Sequence, residues 1–158
     1  RCDWALPLSS DFAGRVTGVA RWSGDYVQHK SVARGATWAD FDADGNVDLL
    51  VVDLNGRPHL LRNEGGTGNH WLKIDARLPG GKRAAIGARI LLTAGGKTRI
   101  QDVFPVNGYL SQGDPRAHFG LGPLTKAEKA EIRWPDGRTQ VLTDLAAGRT
   151  HVVVQDTK

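Results

Sequence analysis

Apolar and polar positions alternate along several short segments of this chain. In residues 70–78, HWLKIDARL, the apolar residues Leu72, Ile74 and Ala76 alternate with larger polar or amphipathic ones. Such alternation is typical of a strand with one buried face. Residues 47–53, VDLLVVD, are β-branched and apolar over most of their length, which predicts a buried strand.

Turn signals separate these segments at short intervals. The sequences LNG at 54–56, GG at 95–96 and PDG at 135–137 each stand between two strand-like runs, so each predicts a hairpin. Thr125 and Glu128 have the spacing of a helix cap and predict one helical turn. With about nine strand candidates and no long amphipathic helix, the predicted fold class is all-β.

Composition limits the classes of protein that the chain can represent. With 158 residues, of which 40% are hydrophobic, it can form one cored domain or one domain with a small appendage. The net charge of +4 comes from Lys and Arg residues scattered along strand-like segments. This scatter indicates a solvated sheet face and argues against nucleic acid as a partner. No segment has the length of a membrane span.

The amino-terminal residues bear on processing. Cys2 is the single cysteine, so it is either free or paired with another chain. The chain starts with Arg1 and shows no signal peptide. We therefore expect a processed or excised chain whose targeting segment has been removed.

Residues 40–48, DFDADGNVD, hold four carboxylates and no positive charge. Carboxylates at positions 1, 3, 5 and 9 of this loop can wrap oxygen ligands around one cation, and Gly45 at position 6 permits a sharp bend. The candidate metal ligands are Asp40, Asp42, Asp44 and Asp48 through their side chains, and Asn46 through its backbone carbonyl. Calcium is the predicted ion, because magnesium prefers stricter octahedral sites that retain water.

The loop does not have the pattern of an EF-hand. An EF-hand needs a bidentate Glu at position 12, and that position is Val51, inside a predicted strand. A β-loop-β calcium site is therefore predicted. The alternative is an acidic turn without metal, since Asp is common in turns. Mutual repulsion among four close carboxylates counts against that alternative.

Longer motifs carry a resemblance to known families. The stretch ATWADFDADGNVDLLVV resembles an FG-GAP/VCBS repeat, and NHWLKI, AIGARI, GYLSQ, HFGLG and WPDG, in this order, resemble the ASPIC/UnbV domain. The resemblance implies a calcium-loop unit of the β-propeller type, with the ligands named above, followed by an antiparallel β-sandwich or barrel-like domain. It also implies a secreted, periplasmic or outer-surface location, and it brings no catalytic residue with it.

Three segments are predicted from these motifs. Residues 1–33 form a degenerate repeat or a partner-binding segment, residues 34–65 form the calcium-loop repeat, and residues 66–158 form the ASPIC/UnbV-like domain. A closed propeller needs about four blades or more, and one clear repeat is present. The chain is therefore a fragment, a naturally short protein, or one that completes its packing against a partner.

No catalytic motif stands out in the sequence. His118 is predicted to be a hydrogen-bonded residue near a strand end, and Trp38, Trp71 and Trp134 are predicted to pack in cores. The leading hypothesis is a calcium-binding interaction or adhesion module without catalytic activity, outside the cytoplasm, with another protein chain or a glycan as partner. The alternatives are an accessory structural subunit of a larger extracytoplasmic or membrane-associated complex, and a fragment of a polysaccharide-acting enzyme.

Overall fold

The computed structural model describes residues 8–10, 16–18, 26, 32–64, 68–108 and 110–157. These residues form fourteen strands and no α-helix, which confirms the all-β prediction. In chain order the strands are β1 (Leu8–Ser10), β2 (Val16–Gly18), β3 (Ala33–Ala39), β4 (Asp48–Asp53), β5 (His59–Leu61), β6 (His70–Arg77), β7 (Arg89–Ala94), β8 (Lys97–Asp102), β9 (Val106–Gly108), β10 (Ser111–Gln112), β11 (Ala117–Gly122), β12 (Lys126–Arg133), β13 (Thr139–Ala146) and β14 (Arg149–Val154).

Two sheets enclose the main core. One has the order β11-β6-β14, in which β11 is antiparallel and β14 parallel to β6. The other is the antiparallel sheet β13-β12-β7-β8. A single cluster of buried side chains joins both sheets and includes Leu72, Ile74, Ile90, Phe119 and Ile132. The described strands form a β-sandwich of open sheets, and no closed barrel is present among them.

The predicted hairpins are confirmed, and the predicted helical turn is wrong. Hairpins join β4 to β5, β7 to β8, and β12 to β13. The segment after Thr125 enters β12 instead of a helix, because β12 is paired on both sides, with β7 and with β13. The Glu128 carboxylate accepts a hydrogen bond from Gly95 N at 2.9 Å. It therefore braces the β7–β8 turn and does not cap a helix.

The strands β3, β4 and β5 form a separate antiparallel sheet that carries the acidic loop. Core packing is confirmed for Trp134 and is wrong for Trp38, which is 43% exposed. The prediction that residues 47–53 form a buried strand is correct for Val51, whereas Leu49 and Val52 are exposed. The described neighbours of this small sheet thus leave part of its apolar surface open to solvent.

The β9–β10 hairpin lies against the small sheet. Ala36 N donates a hydrogen bond to Ser111 Oγ at 3.0 Å, and Thr37 Oγ1 donates one to the Gln112 carbonyl at 3.1 Å. Ser111 and Gln112, within the motif GYLSQ, therefore link the β9–β10 hairpin to β3.

Some predictions fall on residues outside the described ranges. Cys2 and most of the segment 1–33 are among them, apart from the β1–β2 pair and a few further residues. Residues 65–67, at the boundary between the second and third predicted segments, also lie outside. The division into three segments remains a prediction.

Candidate metal centre

The acidic loop is the connection between β3 and β4. Ala39, the last residue of β3, pairs with Asp48, the first residue of β4, so the two ends of the loop lie side by side. Gly45 has a φ of 93°, a backbone conformation that glycine adopts without the steric cost of a side chain. The structure therefore contains the bend that the sequence predicted at this glycine.

Three of the predicted ligands converge. One carboxylate oxygen each from Asp40, Asp42 and Asp48 lies within 4.8 Å of the others. Asp40 and Asp48 are buried, and Asp42 is exposed. Asp40 Oδ1 is buried and has no hydrogen-bond partner among the described residues. Because a buried, unpaired carboxylate oxygen is costly and hard cations bind such oxygens, these residues fit a metal ion.

Asp44 is not one of the three converging carboxylates. Its oxygens accept hydrogen bonds from Asn46 N at 2.7 Å and from Asn46 Nδ2 at 3.1 Å. These bonds, with the backbone bond contributing most, lower the pKa of Asp44. Such local Asx bonds stabilise turns, so Asp44 and Asn46 shape the exposed part of the loop. Their roles as metal ligands remain predictions.

Asp48 ties the loop to the chain that follows β5. Its Oδ2 accepts a hydrogen bond from Phe41 N at 3.0 Å, and its Oδ1 accepts one from Asn63 N at 2.8 Å. A carboxylate oxygen has two lone pairs, so each oxygen retains capacity for a further interaction. Asp48 can thus hold the backbone and bind a cation at the same time.

Two basic side chains contact the loop from outside it. Lys73 Nζ lies 2.7 Å from Asp40 Oδ2, and the two side chains are only 5% and 0% exposed. Arg62 Nε lies 2.8 Å from Asp42 Oδ2 in a more exposed pair. Lys73 belongs to β6 of the sandwich and Arg62 follows β5. The acidic loop is therefore partly neutralised by residues that lie well beyond it in the sequence.

Trp71 and His118 form the surface on which the loop rests. A Cβ atom on Gly45 would lie 1.7 Å from Trp71 Nε1, so glycine is required for this close approach. The rings of Trp71 and His118 stack with their centroids 5.7 Å apart. Burial and then the Lys73 charge lower the pKa of His118, and the charges of Asp40 and Asp114 oppose this shift. His118 is the second residue of β11, so its predicted place near a strand end is confirmed, and the hydrogen bonding of its ring stays a prediction.

Sequence reasoning missed the contribution of β6 to the acidic loop. Trp71 and Lys73 lie on the face of β6 opposite to the core residues Leu72 and Ile74. In an isolated sandwich that face would be solvated. The available signal was the alternation itself, which places an aromatic ring and a cation two residues apart on one face. The sequence carried no signal that the acidic loop covers them.

The sequence matches a known family and a group of curated relatives. Residues 79–158 match the family described as ASPIC and UnbV. The chain is 30% identical to cartilage acidic protein 1 of Homo sapiens over 135 residues, which cover 84% of this chain and 20% of that protein. The Mus musculus protein of the same name is 31% identical over 118 residues, covering 73% and 18%. The chain therefore spans about a fifth of the length of these relatives.

The matched range includes the strands from β7 to β14. The preceding strand β6 pairs with β11 and β14, so the sandwich begins slightly before the match. Among the described residues, no helix has the length and apolar character needed to cross a membrane. Because the family match covers half of the 158 residues, the chain belongs to the ASPIC and UnbV family.

Proposed function

We propose that this chain is a calcium-binding interaction module without catalytic activity, and that residues 34–65 form an FG-GAP/VCBS-like repeat. The observation that carries the proposal is the convergence of Asp40, Asp42 and Asp48, with a buried Asp40 oxygen that lacks a hydrogen-bond partner in the described structure. A cation at this point would complete the coordination of that oxygen. It would also brace the connection between β3 and β4.

The charges of the loop support a divalent ion. The loop has four carboxylates, and Lys73 and Arg62 pair with Asp40 and Asp42. Counted over the described residues, two negative charges are left over, and one calcium ion matches them. Calcium suits this site better than magnesium, because it accepts irregular coordination by carboxylates, carbonyls and water.

The proposed place of action is outside the cytoplasm, as a secreted, periplasmic or outer-surface module. The curated relatives are named for cartilage, which supports an extracellular setting. Three converging carboxylates with one exposed member suit the affinity range of extracellular calcium modules, with dissociation constants of about 0.1–1 mM. The proposed partner is another protein chain or a glycan.

Calorimetric titration of calcium into chelator-treated protein tests this proposal, with thermal melts in parallel. We expect saturable binding and a melting temperature that rises with calcium concentration, because a ligand of the folded state stabilises it. Asp42→Asn removes an exposed carboxylate from the cluster and should weaken binding about tenfold or more.

Asp144→Asn is the matched control, since Asp144 is an exposed aspartate paired with Lys126 outside the loop. Its φ of 53° is tolerated by asparagine, so the variant should bind calcium normally. Absence of calcium binding by the parent chain would show that Lys73 and Arg62 alone satisfy the loop. The proposal would then be wrong.

A second candidate function is that of a structural subunit in a larger assembly. The exposed apolar side chains of the small sheet support it, namely Trp38, Leu49, Val52 and Leu60. Such residues on one sheet are candidates for burial by another chain. Native mass measurement distinguishes this function, because it requires stable association with another chain and the first candidate does not.

A further inference from the structure

A cleft of about 810 Å³ opens beside the acidic loop. Its lining comes from three parts of the chain: the acidic loop, the segment after β5, and the start of β6 with the adjoining part of β11. The polar side chains used below are Asp44, Asn46, Asn63, Glu64 and Asn69. A volume of this size is typical of sites that hold small ligands.

We propose that this cleft binds a neutral saccharide. The inference deepens the proposed function and rests on it, because the proposed calcium loop forms one wall of the cleft. The ligand class follows from the lining. Saccharides present many hydroxyl groups, which both donate and accept hydrogen bonds, next to apolar C–H surfaces. A complementary site therefore needs planar polar groups near an aromatic ring.

Amide side chains supply the polar part of this complementarity. Asn46, Asn63 and Asn69 line the cleft, and each amide carries two donors and one carbonyl acceptor. Asn46 Nδ2 is bonded to Asp44 Oδ2 at 3.1 Å, and Asn63 Nδ2 is bonded to the Val47 carbonyl at 3.3 Å. These bonds orient two of the amides before any ligand binds, which reduces the entropy lost on binding.

Aromatic side chains supply the apolar part. Trp71 and His118 line the same cleft, and their rings stack at an interplanar angle of 21°. Burial lowers the pKa of His118, which favours its neutral ring at neutral pH. Gly45 and the Lys73 ammonium group approach the Trp71 ring, so the parts of the two rings that line the cleft are the apolar surface left to a ligand. Such ring surfaces contact apolar ligand groups favourably.

The charges in the cleft favour a neutral ligand over an ionic one. Arg62 is the single Lys or Arg in the described lining, and its guanidinium is paired with Asp42 at 2.8 Å. An anionic ligand would therefore compete with that pair. Asp44 and Glu64 are the two carboxylates of the described lining. Both oxygens of Asp44 already accept hydrogen bonds from Asn46, and Arg62 Nη2 lies 4.0 Å from Asp44 Oδ2. The three amides offer a hydroxyl-rich ligand more hydrogen-bonding groups than these two carboxylates offer a cation.

Calorimetric titration with neutral hexasaccharides tests this inference. The probes are linear hexamers of glucose, mannose, galactose and N-acetylglucosamine, titrated into the full chain with calcium present, and tryptophan fluorescence is recorded in parallel because Trp71 lines the cleft. We expect saturable binding of at least one probe. Asn69→Ala should weaken that binding about three- to tenfold, the effect of one lost hydrogen bond.

Asn55→Gly is the matched control, because it removes an amide that does not line the cleft. Asn55 has a φ of 61°, which glycine adopts readily, so this variant should bind the probe as the parent does. A separate calcium titration of each variant should be unchanged, since neither side chain is a proposed metal ligand.

Three results would overturn the inference. The first is that no saccharide probe shows saturable binding up to about 10 mM while calcium still binds. This outcome leaves the proposed calcium function intact. The second is equal affinity in Asn69→Ala and the parent, which would place the sugar elsewhere. The third is tighter, salt-sensitive binding of a lysine-rich peptide that displaces the sugar, which would assign the cleft to a cationic ligand. Sugar binding without calcium binding would overturn the proposed function alone.

Discussion

The buried pair between Lys73 and Asp40 is the contact most open to a quantitative test. It joins β6 of the sandwich to the acidic loop across 2.7 Å, with both side chains almost fully removed from solvent. Lys73→Met keeps the length and apolar stem of the side chain but removes the ammonium group. Among the described residues, Asp40 would then retain one hydrogen bond, from Gly45 N at 3.1 Å.

The expected loss of stability is large. Removing one partner of a buried ion pair leaves an uncompensated charge and costs about 3–5 kcal/mol. Lys73 Nζ also lies 5.2 Å from the Trp71 ring centroid, so a cation–π contact is lost as well. With a urea dependence of about 2 kcal/mol per molar, the unfolding midpoint should fall by about 1.5–2.5 M.

Urea unfolding followed by tryptophan fluorescence measures this loss, in chelator and again in saturating calcium. In calcium the loss should be smaller, because the metal would compensate Asp40 in place of the ammonium group. Adding Asp40→Asn to Lys73→Met in chelator should recover much of the stability, since no buried charge remains. Lys126→Met is the control: its pair with Asp144 is exposed, with 62% and 72% of the two side chains accessible, so its effect should be close to zero.

The result that would refute this reasoning is a loss below about 1 kcal/mol for Lys73→Met in chelator. It would mean that the loop is not docked on β6 and that the carboxylate is solvated. An equal loss with and without calcium would instead refute the idea that the ion and Lys73 share Asp40.

Two further predictions concern the backbone of the loop and the acid side of the stability curve. Gly45→Ala should weaken calcium binding and lower the melting temperature more than Gly96→Ala does. Both glycines have a positive φ, but only Gly45 approaches Trp71. Equal effects of the two substitutions would show that the indole contact is absent. Burial tends to raise the pKa of Asp114, but hydrogen bonds from Arg116 outweigh it and leave that pKa below 3.8. The ionised Asp114 therefore stabilises the folded state above about pH 4, and this contribution is lost as the pH falls further. Asp114→Asn should lower the free energy of unfolding at pH 7 and make that free energy fall less steeply in acid. An unchanged pH profile in urea unfolding would contradict this.

Local signals predicted most of the strands correctly. The turns near residues 54–56, 95–96 and 135–137 were readable because glycine, proline and asparagine have backbone preferences that act over a few residues. The alternation in β6 was readable because successive side chains of a strand point to opposite faces. The glycine bend of the acidic loop was readable for the same local reasons.

Local signals failed where a distant segment decided the outcome. Thr125 and Glu128 have the spacing of a helix cap, but β7 and β13 lie on either side of β12 and supply hydrogen bonds to its backbone. These two partners stabilise the strand more than one isolated helical turn can be stabilised. Trp38 lies in an apolar run and is nevertheless 43% exposed, because burial depends on what packs above a face and not on the run itself.

By itself the sequence determined the all-β class, the hairpins and a loop whose carboxylate spacing suits a cation, since backbone preferences and side-chain periodicity act within a few residues. The tertiary structure alone decided that Lys73 and Trp71 contact the acidic loop, that Asp44 stands apart from the three converging carboxylates, and that a cleft forms beside them. These features depend on which remote segments share a surface. The free energy of a charge or a ring depends on its surroundings, and only the packing of β6 against the loop establishes those surroundings.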